Sequence, residues 1–466
     1  MSHLGGNRQH YGITLAVLAT GALAFALSQT MVAPALPEIQ RELDATPTTV
    51  TWVLTVYLLT ASIATPIFGR LGDIFGKERI LVIVLGIFAV GSVVAALSHS
   101  IGVLVLGRAI QGAGGAIFPL AFGIIRDEFP RARVATGIGL ISATFGIGGG
   151  AGLVISGLVV DNLSYEWLFW LGFAVVVIAL VATHFFVPES PVKTPARIDW
   201  AGAVLLSAGL TSLLVGVSYG NDWGWGSTRV LSLFCGAAVI LAFWVWFENR
   251  QAEPLVDMRM MRRRGVWTTN LTGLLIGFGM FGSFILIPQF VQLPESTGYG
   301  FGASVTEAGV FLLPSAAVML IAGPLAGVLA GRFGSRMPLL AGTLFCAASF
   351  SILAAAHDER WHIYATGVLL GVGLGFSFAA MANLIVETVD ETQTGVATAM
   401  NTIMRTVGGA LGGQITASIV AGHLIASNGL PAESGFTEAF VISAVAVLIA
   451  FGAALAIPRT PASARS

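Results

Sequence analysis

Hydrophobic residues along this chain gather into unbroken runs of about twenty, parted by short polar segments, instead of the short alternating segments a membrane β-barrel shows. Taking runs long enough to cross ~30 Å of hydrocarbon at ~1.5 Å per residue, fourteen spans are predicted. They lie at roughly 12–33, 50–69, 80–98, 102–125, 134–158, 167–187, 200–219, 229–247, 267–290, 305–328, 337–356, 362–386, 395–421 and 437–457. The expected fold class is an all-α polytopic membrane protein, and an even number of spans puts both termini on one side.

Polar residues between the runs set the orientation, because Lys and Arg accumulate in short cytoplasmic loops. With the N-terminus inside, the inner segments hold Arg8; Arg70, Lys77, Arg79; Arg126, Arg131, Arg133; Lys193, Arg197; Arg250, Arg259, Arg262, Arg263, Arg264; Arg332, Arg336; and Arg459, Arg465. The outer segments hold only Arg41, Arg229 and Arg360. Eighteen cations against three place both termini in the cytoplasm, and dropping any single span would invert every later loop and spoil the bias. One inner loop, Glu387 to Thr394, carries acids and no cation.

Composition narrows the class further. Hydrophobic residues make up 55% of the chain, charged residues only 10%, and mean hydropathy is +0.85, far above soluble domains. A net charge of −1 leaves no electrostatic footprint for nucleic acid. Cys235 and Cys346 both fall inside apolar runs, so no disulfide is implied. The polar N-terminus runs into a full-length span without a small-residue cleavage site, as in a retained first helix.

The chain repeats itself. Gly69-x-Leu71-x-Asp73-x-Phe75-Gly76 recurs as Gly327-x-Leu329-x-Gly331-x-Phe333-Gly334, an offset of 258, and Val134-Ala135-Thr136 recurs as Val396-Ala397-Thr398, an offset of 262. Two matches at nearly one offset imply a duplicated six-span unit. Residues 1–190 form the first six-span bundle, 191–255 two additional spans with their linkers, and 256–466 the second bundle. Parallel six-span repeats are an architecture of secondary transporters, with the substrate site between the halves near the midplane.

The charged stretch from Gly69 to Arg79 resembles the loop motif between the second and third spans of the major facilitator superfamily, G-x-L-x-D-x-x-G-(R/K)-x-(R/K). Arg108-Ala109-Ile110-Gln111-Gly112-Ala113-Gly114-Gly115 resembles that family's fourth-span motif R-x-x-Q-G-x-G. Together with the fourteen spans, Asp199-Trp200-Ala201-Gly202 opening the seventh, and Asn401-x-x-x-Arg405-x-x-Gly408-Gly409 in the thirteenth, the chain is similar to the drug:proton antiporters of the QacA and EmrB kind. The resemblance implies two pseudo-symmetric six-helix bundles plus two central helices, and a monomer in the cytoplasmic membrane. It further implies export of amphipathic drugs or toxic metabolites by proton antiport. Import or uniport of a metabolite, and a non-transporting membrane sensor, are the alternatives. No enzymatic activity, cofactor or metal site is expected. Gly72-x-x-x-Gly76-Lys77-Glu78 is one residue short of a phosphate-binding loop and lacks its Ser or Thr.

Candidate residues follow. In the family the first motif latches the two halves on the cytoplasmic side, which gives Gly69, Asp73, Gly76, Lys77 and Arg79 the role of a conformational latch. Gly331 replaces the aspartate in the second copy, so a latch there is weaker. Arg108 and Arg405 lie deep in their spans, where an arginine marks a buried partner or a cavity role. The family implies a part for Arg108 in proton movement. Arg405 is a substrate contact, or pairs with a carboxylate or backbone carbonyls. Gly146, Gly149 and Gly150 in the fifth span permit close helix packing at the place of the family's antiporter motif, although its proline is absent. Ser28 stands where the family often has a first-span aspartate, and Glu387, Asp199, Glu307 and Glu438 all lie near span ends. Proton coupling therefore runs through Asp73 and Arg108, through Glu387, or is weak. Gln29, Tyr57, Gln111, Asn270, Asn401 and Arg405 are the polar groups expected to line a substrate cavity among aromatics such as Phe145 and Phe281. Without a mid-span anion, amphipathic neutral or weakly charged substrates are preferred over strong cations.

Overall fold

A computed structural model describes residues 11–193, 197–425 and 430–458. Arg8, Arg459 and Arg465, counted in the charge bias, lie outside the described residues. Fourteen long helices run through it: α1 Tyr11–Thr30, α2 Pro47–Phe75, α3 Lys77–Ala96, α4 Ile101–Glu128, α5 Arg131–Asn162, α6 Glu166–Phe186, α7 Trp200–Ser218, α8 Thr228–Glu248, α9 Arg264–Gln292, α10 Val305–Phe333, α11 Arg336–Ala355, α12 Arg360–Thr388, α13 Thr394–Gly422 and α14 Glu433–Leu455. Thirteen are long and apolar enough to cross a membrane. The exception is α13, whose 29 residues include Asn401, Arg405, Gln414 and several threonines. It reaches full length because neighbouring helices, and not lipid, surround its polar side.

Local chemistry fixes the ends. The Thr46 hydroxyl accepts from the Thr49 N–H at 3.2 Å to start α2, and the Asp199 carboxylate accepts from the Gly202 N–H at 2.8 Å to start α7. Ser304 and Glu307 form a reciprocal capping box on α10. The Gly69–Arg79 stretch differs from the turn its charges suggested. Residues through Phe75 continue α2, and α3 begins at Lys77, so the whole reversal falls on Gly76 at φ 112°. That backbone region favours glycine, which lets the helices reach past the apolar run before the chain turns. Gly334, at φ 86°, does the same between α10 and α11. The helix α4 is broken by a 3-10 turn over Gly112–Ala116.

Packing divides the core. One apolar cluster joins α1 to α6, with Ala382 and Val386 of α12, and another joins α9 to α14. The pair α7 and α8 pack on each other, and α7 leans on α2 and α13. Leu231, Val239, Phe243 and Trp246 of α8 stay exposed, as on a lipid-facing surface. Between the two large clusters run two long contacts, α5 on α10 and α2 on α13.

Candidate functional site

At the arginine-rich end, α2 and α13 meet at Gly69, where an added Cβ would sit 2.9 Å from the Gly395 carbonyl oxygen. One turn on, the Asp73 carboxylate accepts from the N–H groups of Gly395 and Val396, each at 3.2 Å. These are among the orphan donors at the start of α13, so a carboxylate both satisfies them and meets the positive helix end. Asp73 and Lys77 are buried, at 1% and 0% exposure. The Lys77 ammonium lies 2.7 Å from Asp127 and 3.6 Å from Asp73, with its stem against Gly123. Gly76 packs on the Glu189 carboxylate, which accepts from the Glu78 N–H at 3.3 Å. Arg79 is exposed.

Arg126 of α4 reinforces the same junction, donating to the carbonyls of Val389 at 2.8 Å and Asp390 at 3.2 Å and to the Thr394 hydroxyl. Arg263 donates to the Thr388 carbonyl at 2.9 Å and pairs with Asp390 at 3.2 Å. The loop that carries no cation of its own is thus where its neighbours' cations converge. Sequence reasoning missed Arg126. Its signal was that this acidic inner loop broke the charge pattern.

The repeat appears in the contacts. Gly69 of the first copy meets Gly395, and Gly327 of the second meets Ala135, each pair related to the other by about 260 residues. At Gly331, however, an added Cβ would meet nothing within 4 Å. The junction is therefore pinned by a carboxylate on one side only. Glu387 is exposed at the end of α12 and accepts from the Ser335 hydroxyl at 2.6 Å.

Midway along the bundle a narrow cavity of about 20 Å³, room for little more than a water, lies between α1, α2, α5, α9 and α13. Gln29 and Arg405 lie on its wall with Phe25, Phe145, Met280 and Phe281. The Arg405 guanidinium sits between two rings, 4.4 Å from the centroids of both Phe145 and Phe378. The other expected cavity residues stand behind the wall. Asn401 donates to the Asn270 side-chain carbonyl at 3.0 Å, tying α13 to α9. Tyr57 and Gln111 surround Arg108: its guanidinium lies 3.9 Å over the Tyr57 ring and donates to Gln111 Oε1 at 2.7 Å, to the Val53 carbonyl at 3.1 Å and to the Ser28 carbonyl at 3.2 Å. Gln111 in turn donates to Ser92 at 2.8 Å. Arg108 is fully buried without any carboxylate partner among the described residues. Gly146 packs on Met319, Gly149 on Phe284 and Gly150 on Ala316, so α5 closes against α9 and α10 through glycine.

A polytopic bundle of long helices, with a central cavity and a charged junction shutting one end, is the architecture of a multi-pass membrane protein. The chain belongs to the major facilitator superfamily: that family's model matches residues 18–413 and again 301–466. Over 377 residues it is 32% identical to the tetracenomycin C resistance and export protein of Streptomyces glaucescens, covering 80% of this chain and 69% of that protein. It is 30% identical to the multidrug transporter protein MdtP of Bacillus subtilis, over 75% of this chain and 64% of the relative. With an uncharacterized MFS-type transporter of Mycobacterium tuberculosis it shares 32% identity over 81% of its length but spans only 54% of that relative. The human organic anion transporter MFSD10 (TETRAN) has the same fold, with a TM-score of 0.70 over 95% of this chain and 99% of that one at 15% identity.

Proposed function

We propose that this chain, acting as a monomer in the cytoplasmic membrane with both termini inside, exports amphipathic drugs or toxic metabolites by proton antiport and alternating access. Residues 1–190 and 256–466 are the two bundles that rock about the cavity, with 191–255 riding beside α2 and α13. The observation that carries this reading is the bond from Asp73 to the first N–H groups of α13, which joins the bundles at the end where the cations lie. Names of the exporting relatives support the direction of transport.

Asp73 is the best-placed proton carrier of the three groups considered. Its negative charge holds α13 and faces Lys77, so protonation weakens the junction and frees the arginine-rich end to open. Arg108 stabilises the first bundle around α4, and Glu387 accepts from Ser335 within the second bundle. Everted membrane vesicles holding the protein should take up amphipathic dyes when energised, and an uncoupler should abolish that uptake. Absence of proton-dependent uptake of any such dye, beside a working reference exporter, refutes the proposal.

A further inference from the structure

We infer that the central cavity selects amphipathic organic anions, whose carboxylate or phosphate head is bound by Arg405 between Phe145 and Phe378; this rests on the export reading above and narrows its substrate class. Arg405 is 7% exposed and midway along α13, and its guanidinium forms part of the cavity wall. Among the described residues no oxygen accepts from it and no carboxylate pairs with it; its only charge-stabilising neighbours are two phenyl rings. Rings over the faces of a guanidinium leave its in-plane N–H donors unused. A buried cation without acceptors is costly, so the site is incomplete until something negative enters.

Arg108 supplies the internal comparison. It is still more enclosed, yet two carbonyls and Gln111 accept from it. Among the described residues the fold thus gives three acceptors to the arginine inside the first bundle, only its Nη2 lacking one, and none to the arginine at the cavity. The remaining polar wall groups do not substitute for an anion. Ser62, Thr65, Thr402 and Thr406 donate to carbonyls of their own helices, and no Asp or Glu lines the cavity. Arginine's planar fork matches carboxylate and phosphate. Phe25, Leu58, Met280 and Phe281 line the same cavity, so the apolar body of such a molecule meets apolar surface once the two bundles part and widen it. The clamp also spans the seam, since Phe145 lies on α5 and Arg405 on α13, so a bound anion engages both bundles at once.

The test uses the full chain in proteoliposomes with two probes on one xanthene frame: carboxyfluorescein, an anion, and tetramethylrhodamine methyl ester, a cation. Wild type is expected to transport the anion in preference. Arg405→Gln should lower anion flux by roughly tenfold to a hundredfold, the effect of losing a charge-assisted contact, and leave cation flux unchanged or raised. Arg405→Lys should retain part of the anion flux. Cation transport without anion transport in wild type overturns the inference and leaves the export reading standing. Equal loss of both fluxes in Arg405→Gln also overturns it, since the side chain would then be structural. If neither probe moves while a reference exporter transports both, the export reading fails and this one with it. Should Arg405→Gln not fold by size-exclusion chromatography, Arg405→Lys decides: a weaker anion affinity with unchanged cation flux supports the inference, and equal changes refute it.

Discussion

Replacing Asp73 by Asn removes the charge from the junction while keeping its shape. Two N–H groups, of Gly395 and Val396, currently donate to a carboxylate at 3.2 Å. Bonds to a charged acceptor contribute about 2 kcal/mol each, and the single amide oxygen of Asn retains one neutral bond of about 1 kcal/mol. The closed arrangement at the arginine-rich end therefore loses about 3 kcal/mol, which shifts the balance toward opening roughly a hundredfold. Lys77 keeps Asp127 at 2.7 Å, so the local fold survives. The shift can be read from spin labels at Arg131 and Glu391, both exposed at that end on opposite sides of the seam, with Cys235 and Cys346 replaced. Asp73→Asn should add a longer-distance population and impair transport. Gly331→Ala, at the matching place in the second copy, should do neither, because its new methyl meets open space and alanine favours the helix by about 1 kcal/mol. Unchanged distances in Asp73→Asn, or equal effects of the two substitutions, would refute the latch.

Arg126→Gln should open the same end by a further 1–2 kcal/mol or so, since it removes donors to Val389 and Asp390, and the same label pair measures it. Tyr57→Phe should cost about 1 kcal/mol for the lost bond to the Phe25 carbonyl, and Tyr57→Leu about 1–2 kcal/mol more by removing the ring under Arg108; thermal unfolding in detergent separates them. Gly408→Ala puts a methyl on the Leu274 carbonyl oxygen, forcing α9 from α13, and should lower stability by about 1–3 kcal/mol in the same assay.

Much of the architecture is legible because lipid imposes simple rules. Unbroken apolar length and the bias of cations mark the spans and their order, and α13 shows the limit of that logic: it is too polar to qualify by hydropathy yet is a full helix. The motif from Gly69 to Arg79 marks Asp73 as special, but its partners Gly395 and Val396 lie more than 300 residues away and share no local pattern with it. Residues 69 to 75 read as a loop because charge signals a surface, whereas in the folded chain they continue a helix and Asp73 faces Lys77 inside protein.

Depth and polarity along each span, and with them the importance of Arg108 and Arg405, are properties of the sequence by itself, because an unpaired charge costs more the deeper it lies in its span. Which arginine finds backbone acceptors was decided only by tertiary structure. Gln111 reaches Arg108 from the next turn of the same helix, but rotation of the neighbouring helices turned Tyr57 and two carbonyls onto Arg108, and turned only Phe145 and Phe378 onto Arg405. That rotation is set by the packing of neighbouring helices, which no single span encodes.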